Sequence, residues 1–220
     1  MTPEATGFLY PFIEGDEHDV ASLLADLAIS ASAKSGASAS LRAVTVEQCS
    51  KEIEDTADSM ATRFASGGRM LCAGNGGSST DAASLASLFA HPPTGRALAA
   101  RSLVADEAIL TALGNDVGFD LVFSRQIIAY GRADDMFVGF STSGDSENLM
   151  RAFSQSKMDG LLTVGFAGYE GGTMAACGVV DHLFVVRSDS VHRIQETQGA
   201  LAFALWTEVQ SRLDALESAL

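Results

Sequence analysis

The sequence predicts an α/β fold, a three-layer α/β/α sandwich around a five-stranded parallel sheet, with extra helices at its N-terminal end. Two observations carry this. Five short apolar runs alternate with segments of helical periodicity, and strands that are apolar throughout need cover on both faces. In addition, two strand-to-helix turns, Gly74–Ser78 and Ser141–Ser146, are rich in glycine and hydroxyl side chains. Ligands of parallel sheets bind at such turns, at the carboxyl ends of strands.

Taken in order, residues 1–16 crowd Phe8, Leu9, Tyr10, Phe12 and Ile13 together, a cluster expected to pack on something such as a neighbouring subunit. From Glu17 to Lys34, Val20, Leu23, Leu24, Leu27 and Ala31 fall on one helical face. The small polar run Ser35–Ser40 predicts a break, so residues 1–40 read as a helical extension and residues 41–220 as the main domain. A second helix is expected over Leu41–Ala65, with a stripe of Leu41, Val44, Cys49, Ile53, Met60 and Phe64. Gly67-Gly68 ends it. Strands are expected at Arg69–Ala73, Ala100–Val104, Met136–Phe140, Leu161–Phe166 and His182–Val186. Helices are expected at Ser79–Ala90, Ala108–Leu113, Leu121–Tyr130, Glu147–Met158 and Met174–Cys177. The last helix, Val191–Leu216, carries Ile194, Leu201, Phe203, Leu205, Trp206, Val209 and Leu213. That apolar girth is wider than one stripe and points to burial on more than one side.

The 220 residues fit one such domain plus helical decoration. A formal charge of −14 argues against nucleic acid and against an anionic membrane as partners. A small phosphorylated ligand is compatible with it, because helix ends supply a local positive field. Cys49, Cys72 and Cys177 are odd in number, widely spaced and without a CxxC, which suits free thiols in a reducing cytoplasm. The N-terminus has no signal-peptide pattern, and the apolar runs are too short for a membrane span. The expected location is therefore cytoplasmic.

The stretch Ser141-Thr142-Ser143-Gly144-Asp145-Ser146 follows an apolar strand and precedes an amphipathic helix. The first N–H groups of such a helix are unpaired, with the positive end of its dipole behind them. A phosphate fits there, and hydroxyls add short hydrogen bonds. A plain N-cap needs one hydroxyl; four lie between Ser141 and Ser146. The stretch Gly74-Asn75-Gly76-Gly77-Ser78 is a second turn of this type. It lacks the P-loop ending and the dinucleotide pattern, and alone it reads equally well as a tight turn.

Together with Ala112-Leu113-Gly114-Asn115-Asp116, Gly118-Phe119 and Arg193-Ile194-Gln195-Glu196, these two turns resemble the sugar isomerase (SIS) domain. More narrowly they resemble the phosphoheptose isomerase family, whose members convert sedoheptulose 7-phosphate into an aldoheptose phosphate. The resemblance covers about residues 41–217. It implies a flavodoxin-like sheet, a homotetramer with active sites between subunits, and a phosphorylated sugar as ligand. It places the phosphate at Ser141, Thr142, Ser143 and Ser146. It places sugar contacts at Asn75, Gly76, Gly77, Ser78, Asp106 and Gln195.

The chain departs from the family where the chemistry lies. The family's zinc ligands are a His and a Glu on the helix after the first turn, the RIQE glutamine and a later His. The matching positions are Ser84, Leu88, Gln195 and Phe203. The family's Glu and final His also move the protons of the aldose–ketose shift, and Leu88 and Phe203 do neither. No zinc or other cofactor is expected. His192 and Glu196, on one helical face with Gln195, are the substitute acid–base candidates; the plain reading of His192 is a solvent-facing residue. Glu107 is a further candidate, and also an ordinary acidic residue at a helix start. His91 is expected in a loop, His182 at a strand start and His18 on the N-terminal helix. Two functions are compatible with this pattern: isomerisation of a phosphorylated sugar, or sugar-phosphate sensing and partner binding without catalysis.

Overall fold

The computed structural model describes residues 20–218, with side chains from residue 21. The apolar cluster expected at residues 8–13 and His18 lie outside the described residues. By its internal contacts the chain divides into two units, residues 1–40 and 41–220.

Helix α1 spans Val20–Gln48. The break expected at Ser35–Ser40 is absent, which corrects the sequence reading. Serine and alanine are tolerated in a helix interior, and a single Gly36 costs only about 1 kcal/mol there. The interruption falls instead at Cys49 (φ −90°, ψ 6°), before α2, Ser50–Ala65. Hydrogen bonding runs through it, with Cys49 N–H donating to Thr45 O at 2.9 Å and Ile53 N–H to Cys49 O at 2.8 Å. It is a kink with no loop.

Strand β1 (Met70–Gly74) leads into α3 (Gly77–Ala90). Next come β2 (Ala100–Ser102), α4 (Glu107–Asp116), a 3-10 turn at Phe119–Leu121 and α5 (Val122–Tyr130). Strand β3 (Met136–Ser141) leads into α6 (Glu147–Met158), and β4 (Leu162–Gly168) into the short α7 (Gly172–Ala176). Strand β5 (His182–Val186) and the long α8 (Val191–Ser218) complete the domain. All pairings are parallel, in the order β2-β1-β3-β4-β5. The expected five-stranded sheet is therefore present. Winding reverses at β1 and β3, so the crevice at their carboxyl ends is the topological switch point.

Alternate strand residues feed two cores. Met70, Cys72, Val138, Phe140, Phe166 and Phe184 pack against α2, α3 and α8. Leu71, Ala73, Phe137 and Ala167 pack against α5, α6 and α7. Phe140, Phe166 and Phe184 stack across three strands with ring centroids 4.4 and 4.9 Å apart. Stacking of this kind adds about 1 kcal/mol per pair to burial alone. On α8 the expected apolar residues are buried except Phe203, which is 55% exposed beside Trp206. On the earlier stripe Val44 is exposed at 49%. No helix among the described residues is long and apolar enough to cross a membrane.

Candidate functional site

At the end of β3 the hydroxyls form a cluster. Ser141 Oγ lies 3.0 Å from Ser146 Oγ and 3.3 Å from Ser143 Oγ. Gly144 N–H donates to Ser141 Oγ at 3.1 Å and Asp145 N–H to Ser143 Oγ at 3.2 Å. Ser146 is the N-cap residue of α6, yet its side chain makes no capping bond to the helix. A capping role alone therefore does not account for it. The first turn of α6 keeps N–H groups free of a side-chain cap, beside three converging hydroxyls, which is the arrangement that receives an anion. Thr142 is half-buried, and its carbonyl accepts the Gly168 N–H at 3.0 Å.

The loop is fastened from below. Gly144 has φ +74°, and a Cβ there would stand 2.1 Å from Gly171 O, so only glycine fits. The Asp145 carboxylate accepts both the N–H and the hydroxyl of Thr173 at 2.7 Å. Those two hydrogen bonds hold its pKa below the usual carboxylate value.

The first turn sits beside this loop because β1 and β3 are neighbours. The carboxamides of Asn75 and Asn148 exchange two hydrogen bonds of 2.9 Å, joining the Gly74–Ser78 turn to the first turn of α6. Asn148 is buried. Sequence reasoning missed it, because an Asn in a helix carries no sign of a partner 73 positions away. Asn75 thus spends its oxygen and one N–H on the scaffold and keeps one N–H for a ligand. Gly76 is left-handed (φ +54°), and Ser78 is buried under the start of α3. Gly77 faces α8: a Cβ there would lie 2.3 Å from the Gln195 amide nitrogen. Gln195 is thereby brought against the first turn.

Asp106 is the N-cap of α4, accepting the Ile109 N–H at 3.0 Å. It lines a groove with Ser87, His91 and Arg101. His192 and Glu196 are exposed on the first turns of α8, and Glu196 lies 3.7 Å from Arg42. Glu107 is exposed on α4. His91 follows α3, and His182 begins β5 with Nδ1 2.8 Å from Glu52 Oε1.

Three of the four positions matching the family's metal ligands meet, while Gln195 lies against Gly77. Ser84, Leu88 and Phe203 line one cavity of about 170 Å³ with Asp81, Leu85, Phe140, Gly199 and Ala202. Among the described residues no group of three or more His, Cys, Asp or Glu side chains is placed to hold a metal ion. Asp81 is half-buried, its Oδ2 is buried without a hydrogen-bond partner, and burial pushes its carboxyl up to about 6. Sequence reasoning passed over this residue too.

A model of the SIS domain matches residues 35–168. A phosphoheptose isomerase of Burkholderia pseudomallei is 43% identical over 148 residues, which span 66% of this chain and 73% of that protein. One from Fusobacterium nucleatum is 40% identical over 152 residues, 68% of this chain and 77% of its own length. The structure of phosphoheptose isomerase from Neisseria gonorrhoeae superposes with a TM-score of 0.78 at 33% identity, covering 84% of this chain and 99% of that one. One from Francisella tularensis gives 0.78 at 26% identity, covering 83% and 97%.

Proposed function

Because the chain belongs to the SIS-domain family, and within it to the phosphoheptose isomerases, we propose that it interconverts the ketose and aldose forms of a phosphorylated sugar such as sedoheptulose 7-phosphate. The observation that carries this reading is the cluster of Ser141, Ser143 and Ser146 at the uncapped start of α6. It is built to hold a phosphate. The Asn75–Asn148 pair and the Gly77–Gln195 contact place the first turn and α8 beside it, where the sugar would extend.

Three of the four positions that match the family's zinc ligands do not suit zinc. Leu88 and Phe203 carry no donor atom and Ser84 offers only a hydroxyl, whereas zinc takes imidazole, thiolate or carboxylate. The proposed chemistry therefore uses no metal. Stoichiometric zinc in the purified protein would overturn this part of the reading. His192 and Glu196 are assigned proton exchange with the substrate oxygens, from the start of α8. The assembly is a cytoplasmic homotetramer, as the resemblance implies, and the free thiols support the compartment.

The test is incubation with sedoheptulose 7-phosphate in the presence of a chelator, followed by NMR. The aldose phosphate is expected to accumulate, and His192→Ala or Glu196→Gln to slow it. Binding without turnover would instead establish the second reading, a sugar-phosphate sensor or partner-binding scaffold. The apolar Leu88 and Phe203 are the observation that favours that reading.

A further inference from the structure

We propose that Asp81 is the base that moves the carbon-bound proton in this isomerase, in place of the residues its relatives use. The inference rests on the isomerase reading above and adds to it the group that performs the central step. Three observations support it.

The first is position. Asp81 shares a helical face of α3 with Ser84 and Leu88, at i, i+3 and i+7. All three line the cavity that α8 closes with Gly199, Ala202 and Phe203. Asp81 also lies one turn from Ser78, at the end of α3 that begins in the first ligand loop. A sugar held by its phosphate at Ser141–Ser146 and passing Asn75 and Gln195 would present its carbonyl end towards this face.

The second is chemistry. Asp81 is the one ionisable side chain among the eight residues lining the cavity. The remaining lining is Leu85, Leu88, Phe140, Ala202, Phe203, Gly199 and the hydroxyl of Ser84, none of which accepts a proton at neutral pH.

The third is the state of the carboxylate. Its Oδ2 is buried and has no hydrogen-bond partner. Buried polar groups are as a rule paired, and an unpaired one calls for a reason, of which a catalytic role is one. An unpaired carboxylate in an apolar wall is also a stronger base than one in water, and burial raises the Asp81 carboxyl in that direction.

The step balances without a co-reactant. For a 2-ketose, Asp81 takes a proton from C1, the C1–H electron pair becomes the C1–C2 double bond, and the C2 carbonyl oxygen gains a proton. The product is an enediol. The O1 proton then leaves, the C1–O1 carbonyl forms, and the Asp81 carboxylic acid returns its proton to C2. One proton leaves an oxygen and one arrives at an oxygen, so there is no net oxidation. No metal enters.

The test follows exchange of the C1 hydrogen of sedoheptulose 7-phosphate in D2O by NMR, with chelator present. Wild-type protein is expected to exchange the hydrogen and form aldose. Asp81→Asn should lower both rates by about 10²- to 10⁴-fold, the usual contribution of a general base, while the affinity for sugar phosphate is kept. Asp81→Ala should regain exchange when formate is added, because the vacated space admits a small carboxylate; a merely structural aspartate would not respond to formate. If wild-type protein exchanges and Asp81→Asn stays within about three-fold of it, the assignment is overturned and the isomerase reading stands. If wild-type protein binds the sugar phosphate but neither exchanges nor isomerises it, the isomerase reading fails and this assignment fails with it.

Discussion

Ser141 has three polar neighbours at one oxygen: the hydroxyls of Ser143 and Ser146 and the Gly144 N–H. It organises the cluster, and Ser143 is the more exposed hydroxyl, the one a phosphate would meet under the proposed function. Ser143→Ala is accordingly expected to weaken sugar-phosphate binding by about 1 kcal/mol or more, roughly five-fold, in isothermal titration. Unchanged affinity would remove the phosphate from this loop. Asp81 supports a prediction of a different kind. Its carboxyl stands near 6 in the fold against 3.8 as the reference value, so between those values the folded protein holds more protons than the unfolded chain. By linkage, stability falls as pH rises through that window and stays lowered above it. Asp81→Asn removes the penalty. Its melting temperature should exceed that of wild type at pH 7.5 and lie close to it at pH 4. Equal melting temperatures at pH 7.5 would show that the carboxylate is not strained by burial. A gain in stability with a loss of turnover is the signature of a group kept for function.

At the scale of elements, the sheet is held at the end opposite the site by Asp135, which is 1% exposed. Its carboxylate accepts the Arg69 backbone N–H at 2.8 Å, the Arg132 backbone N–H at 3.1 Å and the Arg69 guanidinium at 2.5 and 3.2 Å. One side chain thus fastens the starts of β1 and β3, the two strands whose far ends carry the proposed ligand loops. Asp135→Ala leaves two backbone donors without their acceptor and the Arg69 guanidinium with only the Tyr130 carbonyl, and should lower stability by about 2–4 kcal/mol in urea unfolding. A change within 0.5 kcal/mol, the range of ordinary surface substitutions, would show that the strands are fixed by packing alone. The same scale shows why helix α1 misled the sequence reading. Ser35–Ser40 looks like a loop by composition, yet small residues are neutral enough for a helix to continue through them. Strands β1 and β3 were legible because an apolar run bounded by glycine or serine has few other uses.

For the whole molecule, sheet, layers and both glycine- and hydroxyl-rich turns were legible in local patterns, while the contacts that join the turns were not. Asn75 finds Asn148, Gly77 finds Gln195, and Asp81 finds a cavity closed by α8. Each joins segments far apart in the chain, and nothing in the neighbourhood of either residue announces the other. Phe203 is the reverse case. Its place on an apolar helix predicted burial, and it is 55% exposed, at a cavity whose relatives' sites lie, by the family resemblance, between subunits. The proposed tetramer gives that exposure a cause, since an aromatic side chain left in water forfeits about 1.5–3 kcal/mol of burial. With a formal charge of −14 on each chain, assembly also has to overcome self-repulsion, which acts over about 8 Å at physiological ionic strength and over longer distances in dilute salt. Light scattering in 0.15 M NaCl should therefore return about four times the chain mass of 22.9 kDa. The mass should fall on transfer to low salt. Phe203→Glu should lower it in both conditions, because a charge that an interface buries without a partner opposes association strongly. A monomer mass for wild-type protein at tens of micromolar in 0.15 M NaCl would overturn the tetramer, and Phe203→Glu with an unchanged mass would move the interface away from this face of α8.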